Sequence, residues 1–68
     1  NRHREAIAEY DRAIRLAPRG EPRLGAYYLN RSYAWWALGE RSSALNDARE
    51  AQRLGAEVET AYLRLIGG

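Results

Sequence analysis

The sequence predicts an all-α chain of four amphipathic helices arranged as stacked antiparallel helix-turn-helix hairpins. Three observations predict it. Apolar residues recur in steps of three and four from one end to the other. No segment alternates with the period of two that a half-buried strand needs. Glycine or proline closes each helical run.

The first run places Ala6, Ile7, Tyr10, Ala13, Ile14 and Ala17 on one face. Glu5 and Glu9 stand toward its start and Arg12 and Arg15 toward its end, which suits the helix dipole. Glu9 with Arg12 and Asp11 with Arg15 stand at attractive spacings, and Glu5, Glu9 and Asp11 read as a solvated face. The tract Pro18-Arg19-Gly20-Glu21-Pro22 cannot continue a helix, because proline lacks the amide donor and restricts its predecessor. A second helix is predicted from about Leu24 to Leu38, with Tyr28, Arg31, Ser32 and Trp35 on one stripe and Leu29, Tyr33 and Trp36 on a neighbouring one. Gly39 is its left-handed cap. A helix apolar on two sides needs two partners, which is the arrangement of stacked hairpins.

The third helix should begin at Ser42 or Ser43 as N-cap, bury Ala44, Leu45, Ala48, Ala51 and Leu54, and stop at Gly55. So short a link makes the second and third helices antiparallel neighbours. A last helix is expected over Glu57 to Ile66, carrying Val58, Ala61, Tyr62, Leu65 and Ile66.

Composition narrows the function classes. Apolar residues make up 46% and charged residues 29%, as in a folded water-soluble domain. Net charge is only +2, from 11 basic residues, all arginine, against 9 acidic ones, so charge alone implies no nucleic acid. There is no cysteine, and a lone His3 builds no zinc site. The longest stretch without a charge, Ser32 to Gly39, is too short for a bilayer. There is no phosphate loop, and Ser42 and Ser43 lack a base, so the sequence points to no enzyme and no cofactor. A start at Asn1, with no leader, reads as a piece of a longer chain, which leaves the compartment unassigned.

An internal repeat organises these elements. Ala6–Leu16 overlays Ala44–Leu54 at an offset of 38, keeping Ala6/Ala44, Ala13/Ala51, Arg15/Arg53 and Leu16/Leu54 identical. Ala26–Arg31 overlays Thr60–Leu65 at an offset of 34, setting Tyr28 on Tyr62. The offsets agree if the Pro/Gly tract holds four extra residues, and a 34-residue helix-turn-helix period is the signature of one repeat class. On these residues the chain resembles the tetratricopeptide repeat (TPR) family. Residues 1–18 resemble the second helix of a partial repeat, 19–24 a connecting insertion, 25–58 a complete repeat and 59–68 the first helix of a truncated third. Arg31 for the usual Leu, Ala48 for an aromatic and Ala56 for Pro depart from the pattern.

The resemblance implies an interaction scaffold whose concave surface is lined by first helices, here at Ala26, Leu29, Tyr33, Trp36 and Ala37. Leu29, Tyr33 and Trp36 are candidate residues for gripping a peptide or protein partner, with Asn30 and Arg64 as polar anchors. Asn30-Arg31-Ser32 and Arg64 resemble members of a carboxylate clamp, although Thr60 stands where that clamp has Lys. The alternative is a purely structural or self-associating segment of a larger solenoid, with the same rings packed against a neighbouring repeat. A further alternative reads Gly39–Ser43 as the turn of a DNA-binding helix-turn-helix presenting Arg41, Ser43, Asn46 and Arg49, flanked by repelling Glu40, Asp47 and Glu50. Because arrays of this kind need about three repeats for stability, the chain alone is expected to form a homodimer.

Overall fold

The computed structural model describes residues 1–67, and those residues are all-α. Four helices follow in order: α1 (Arg2–Leu16), α2 (Leu24–Ala37), α3 (Arg41–Arg53) and α4 (Thr60–Gly67). Each packs on the next, α1 on α2, α2 most extensively on α3, and α3 on α4, so α1 and α4 are the two ends of the series. Among the described residues no helix is long and apolar enough to cross a membrane.

The helix ends follow from local chemistry. Asn1 caps α1: its Oδ1 accepts from the backbone amides of His3 at 2.9 Å and Arg4 at 3.3 Å. At the other end Pro18 holds Ala17 extended (φ −63°, ψ 131°), and the helix stops. In the loop, the Glu21 carboxylate accepts from the Arg23 backbone amide at 2.8 Å and from its guanidinium, which holds Glu21 below the usual carboxylate range. The predicted cap Gly39 ends α2 at φ 81°: its amide donates to Trp36 O and the Glu40 amide to Trp35 O, both at 2.9 Å. Gly55 repeats this device after α3 at φ 93°, with its amide on Gln52 O and the Ala56 amide on Ala51 O.

Two helix starts differ from expectation. Neither Ser42 nor Ser43 is the N-cap of α3. The helix begins at Arg41, and Glu40 holds the cap position without a side-chain cap bond. The reason lies in the preceding turn: Glu40 donates its amide back to Trp35 O while its own carbonyl accepts from Ala44 N at 3.0 Å, so α3 starts one residue after the turn closes. Similarly, α4 begins at Thr60 and not Glu57, its first turn closed by Leu63 N on Glu59 O at 3.1 Å.

Packing centres on α3. Ala44, Ala48 and Ile66 are fully buried, with Trp35, Trp36, Leu45, Val58, Tyr62 and Leu63 against them. Small residues let α2 and α3 approach closely, and rings fill the gaps beside them. Gly25, at the start of α2, sits on the end of α3: a Cβ there would lie 3.1 Å from Ala56 Cβ and 3.5 Å from Leu54 Cβ. Not every predicted core position is covered. Leu54 stands at the edge of its stripe, 36% exposed, and Leu65 on α4 is 58% exposed.

Candidate functional site

Helix α2 is the hub of the molecule, and two side chains in its middle tie it to the other three helices. Arg31 reaches both ways. Its Nε and Nη2 donate to Asp47 Oδ2 and Oδ1 at 2.7 and 2.8 Å, a two-pronged pair onto α3, while Nη1 donates to Asp11 Oδ1 at 2.6 Å on α1. The guanidinium carbon lies 5.3 Å from the centre of the Tyr28 ring. Hydrogen bonding to Asp47 raises the already high pKa of Arg31, outweighing desolvation, so the guanidinium stays charged at any working pH. Asp11 therefore does not lie on a solvated face with Arg15 as its partner: it turns to Arg31. Asp47, expected to flank a groove-reading face, is buried in the same cluster.

Ser32, fully buried one residue on, makes the second link. Its Oγ lies 2.6 Å from Ala44 O on α3 and 2.8 Å from Tyr62 Oη on α4. A carbonyl can only accept, so the serine proton goes to Ala44 O and the Tyr62 hydroxyl must donate to Ser32. Burial pushes the Tyr62 hydroxyl above the ordinary tyrosine range. The small residue at position 32 thus joins three helices through a directed chain of two hydrogen bonds.

These links set the face that the sequence proposed for binding. Ala26, Asn30, Tyr33 and Ala37 form the exposed stripe of α2. Tyr33 is 43% exposed and meets Tyr62 edge-on, with ring centres 4.7 Å apart and planes at 63°. Leu29 lies half-buried beside the stripe. Trp36 is also half-buried, packed on the Ala44, Ala48 and Ile66 core, so much of its ring is committed inside the molecule. Arg64 is exposed on α4 and makes no ion pair among the described residues. Tyr33 and the α4 ring are therefore in contact, whereas Asn30 and Arg64 are both accessible but have no hydrogen bond between them. Neither α2 nor α4 contains a carboxylate, and Arg31 is more than offset by its two aspartates, which leaves Arg64 as the one unpaired charge within these two helices.

The surface offered by the helix-turn-helix alternative is partly occupied. Arg41 Nε donates to Ile66 O at 2.7 Å, closing the end of α4, and Asp47 faces inward to Arg31. Among the described residues no cluster of His, Cys, Asp and Glu could hold a metal, and no enclosed pocket is present.

The Arg31 cluster is the feature that sequence reasoning missed. Its signal was present. Arg31 is a charge on an apolar stripe, and Asp47 lies between Ala44, Ala48 and Ala51 on another. Two opposite charges placed where apolar residues belong are candidates for each other.

Comparison with known proteins gives one relationship to build on. Over 60 residues the chain is 35% identical to the small glutamine-rich tetratricopeptide repeat-containing protein 2 of Mycosarcoma maydis. The match takes in 88% of this chain but only 16% of that protein, so the chain spans a small part of its relative's length. No family model matches the chain. No solved structure matches it either. The similarity and the packed helical hairpins together support a TPR-like relationship.

Proposed function

We propose that the chain is a tetratricopeptide repeat segment that binds a peptide or protein partner through the first-helix surface of α2 and α4, and that its activity is binding and not catalysis. The observation that carries this reading is the Tyr33–Tyr62 pair. One ring is fixed by its hydroxyl bond to Ser32, and the other stands 43% exposed beside it. A rigid aromatic floor of this kind offers contact area at low entropic cost. Leu29 and the outer edge of Trp36 extend the floor, and Asn30 and Arg64 supply polar anchoring. Neither helix brings a carboxylate of its own, so a segment carrying a negative group finds Arg64 unpaired within the described chain.

The test is titration of a peptide library against the wild-type chain and against Tyr33→Ala and Arg64→Ala. Both altered residues are exposed, so the fold should survive, as helix content by circular dichroism would verify. Peptides that bind should lose about tenfold or more in affinity on Tyr33→Ala, as expected for truncating a central aromatic anchor. A binding peptide indifferent to both changes would remove this surface from the reading. A second reading, in which the segment is structural and has no ligand of its own, is favoured by the packing of Trp36 into the α3–α4 core. It is the outcome if no library member binds.

A further inference from the structure

We infer that the outer side built by α1 and α3 docks an acidic helical segment of a partner protein through Arg4, Arg12, Arg15, Arg49 and Arg53. Helices α1 and α3 lie on the same side of α2, because a single guanidinium, that of Arg31, reaches Asp11 on one and Asp47 on the other. The Cα atoms span 33 × 28 × 14 Å, a slab about two helices thick with two broad sides. Arg31 and Tyr33, two residues apart in a helix of 3.6 per turn, lie on opposite sides of α2, so the Tyr33 face is the other broad side. Which residues look outward is read from α3, the helix packed by both α2 and α4. There Ser42, Asn46, Arg49 and Arg53 stay exposed. The same registers 38 positions earlier hold Arg4, Ala8, Asp11 and Arg15. This side is therefore open even on a helix covered on both flanks, whatever precedes α1.

Charge selects the occupant. Arg12, exposed, and Glu50, half-buried, share the register at the border of this side. It thus holds five arginines against two carboxylates, Asp11 and Glu50, a net charge of +3 (5 − 2) where the whole chain has only +2. Both carboxylates are occupied, Asp11 by Arg31 and Glu50 by Arg53. Arg4, Arg12, Arg15 and Arg49 are exposed and make no ion pair among the described residues. Glu5 and Glu9 stand at the registers of half-buried Ser43 and buried Asp47, off this side. A guanidinium fork matches a carboxylate in two prongs, the pairing Arg31 already makes with Asp47 inside the molecule. Arg12 with Arg15 and Arg49 with Arg53 recur at three and four residues, the spacing of carboxylates along one face of an acidic helix. Ala8, between Arg4 and Arg12, lets the backbone of that helix come close. No aromatic ring stands at these outer positions, whereas surfaces for single-stranded nucleic acid combine cations with rings that stack the bases. A protein carboxylate is therefore the better match than a phosphate backbone.

Fluorescence anisotropy at low salt, with the 68-residue chain titrated into a labelled synthetic peptide, tests the proposal. The probe is an alanine-based helix carrying glutamates at i, i+4 spacing; the controls are the same peptide with glutamine for glutamate and an oligouridylate of equal charge. The glutamate peptide should bind about tenfold or more tightly than the glutamine one, and more tightly than the oligouridylate. Arg12→Glu with Arg15→Glu should weaken its binding by about tenfold or more, since attraction becomes repulsion. Arg12→Gln with Arg15→Gln, which brings no new carboxylate into α1, should weaken it about threefold and decides the matter if circular dichroism shows that the reversed pair unfolds. Tyr33→Ala and Arg64→Glu, on the other broad side, should leave it unchanged, so this contact and the Tyr33 face can fail independently. A glutamate peptide that does not bind, tighter binding of the oligouridylate, or equal losses from Arg64→Glu and from the Arg12 and Arg15 pair would each overturn the proposal.

Discussion

Ala44 and Ala51 on α3 have no exposed surface, whereas Ala6 and Ala13, which hold the same places in the repeat 38 positions earlier on α1, keep part of theirs. The residues are identical and the helical pattern is the same. The difference is cover. α3 is enclosed by α2 on one side and α4 on another, while the main packing of α1 among the described residues is on α2. In a stacked array the worth of a small residue is therefore set by its neighbours and not by its own helix.

The sharpest way to break the enclosed region is through its charge. Asp47 is 6% exposed and holds two of the three Arg31 bonds. Asp47→Ala should cost about 2–3 kcal/mol, because it removes two charged hydrogen bonds and leaves Arg31 with the half-exposed Asp11 as its remaining partner. Replacing both members with apolar residues, Arg31→Leu together with Asp47→Leu, should return to within about 1 kcal/mol of wild type, since the desolvation cost disappears with the attraction. Asp11, whose side chain is 47% exposed, would then hydrate without difficulty. Urea titration followed at 222 nm compares the variants, and a double variant no more stable than Asp47→Ala would refute this account.

Overpacking probes the same contrast more directly. Ala44→Leu adds volume at a position with no exposed surface and should destabilise by about 1–3 kcal/mol. Ala6→Leu, at the matching but half-covered place on α1, should change stability by no more than about 0.5 kcal/mol. Equal costs in the two variants would mean that Ala6 is as enclosed as Ala44.

What could be read from the sequence follows the same division. The four helices, the Gly39 and Gly55 caps and the hairpin order rest on spacing within a helix or a turn, and local chemistry was enough to place them. The start of α3 was misplaced because the bond from Glu40 N to Trp35 O belongs to the preceding helix, so its turn geometry overrode the capping preference of serine. The Arg31 cluster was out of reach for a different reason: its partners are 16 and 20 residues away, and only the packing of three helices brings them together. Tyr33 and Trp36 share one stripe in the sequence, yet the α3–α4 core takes in much of Trp36 and leaves Tyr33 the more open. A stripe gives direction, and the adjoining hairpin decides what remains accessible.

Effects smaller than the loss of Asp47 come from Ser32, where the enclosed hairpin meets α4. Ser32→Ala removes the acceptor for Tyr62 and the donor to Ala44 O, and should cost about 1–2 kcal/mol. Tyr62→Phe removes only the outer bond and should cost less, about 1 kcal/mol. The pH dependence sharpens the point. Burial raises the Tyr62 pKa in the folded chain above its unfolded value, so the folded state favours the protonated hydroxyl. That contribution is fully present below the unfolded value of about 10 and is lost as pH rises through the higher folded one. The Ser32 hydroxyl can soften the loss by turning its proton to the phenolate, but only by releasing Ala44 O. Stability should accordingly decline above about pH 10 in the wild type and less steeply in Tyr62→Phe, and the wild-type ultraviolet titration should show one tyrosine ionising later than the rest, a component missing from Tyr62→Phe. Coincident pH profiles for the two chains would place Tyr62 in water in the folded state and detach α4 from the enclosed hairpin.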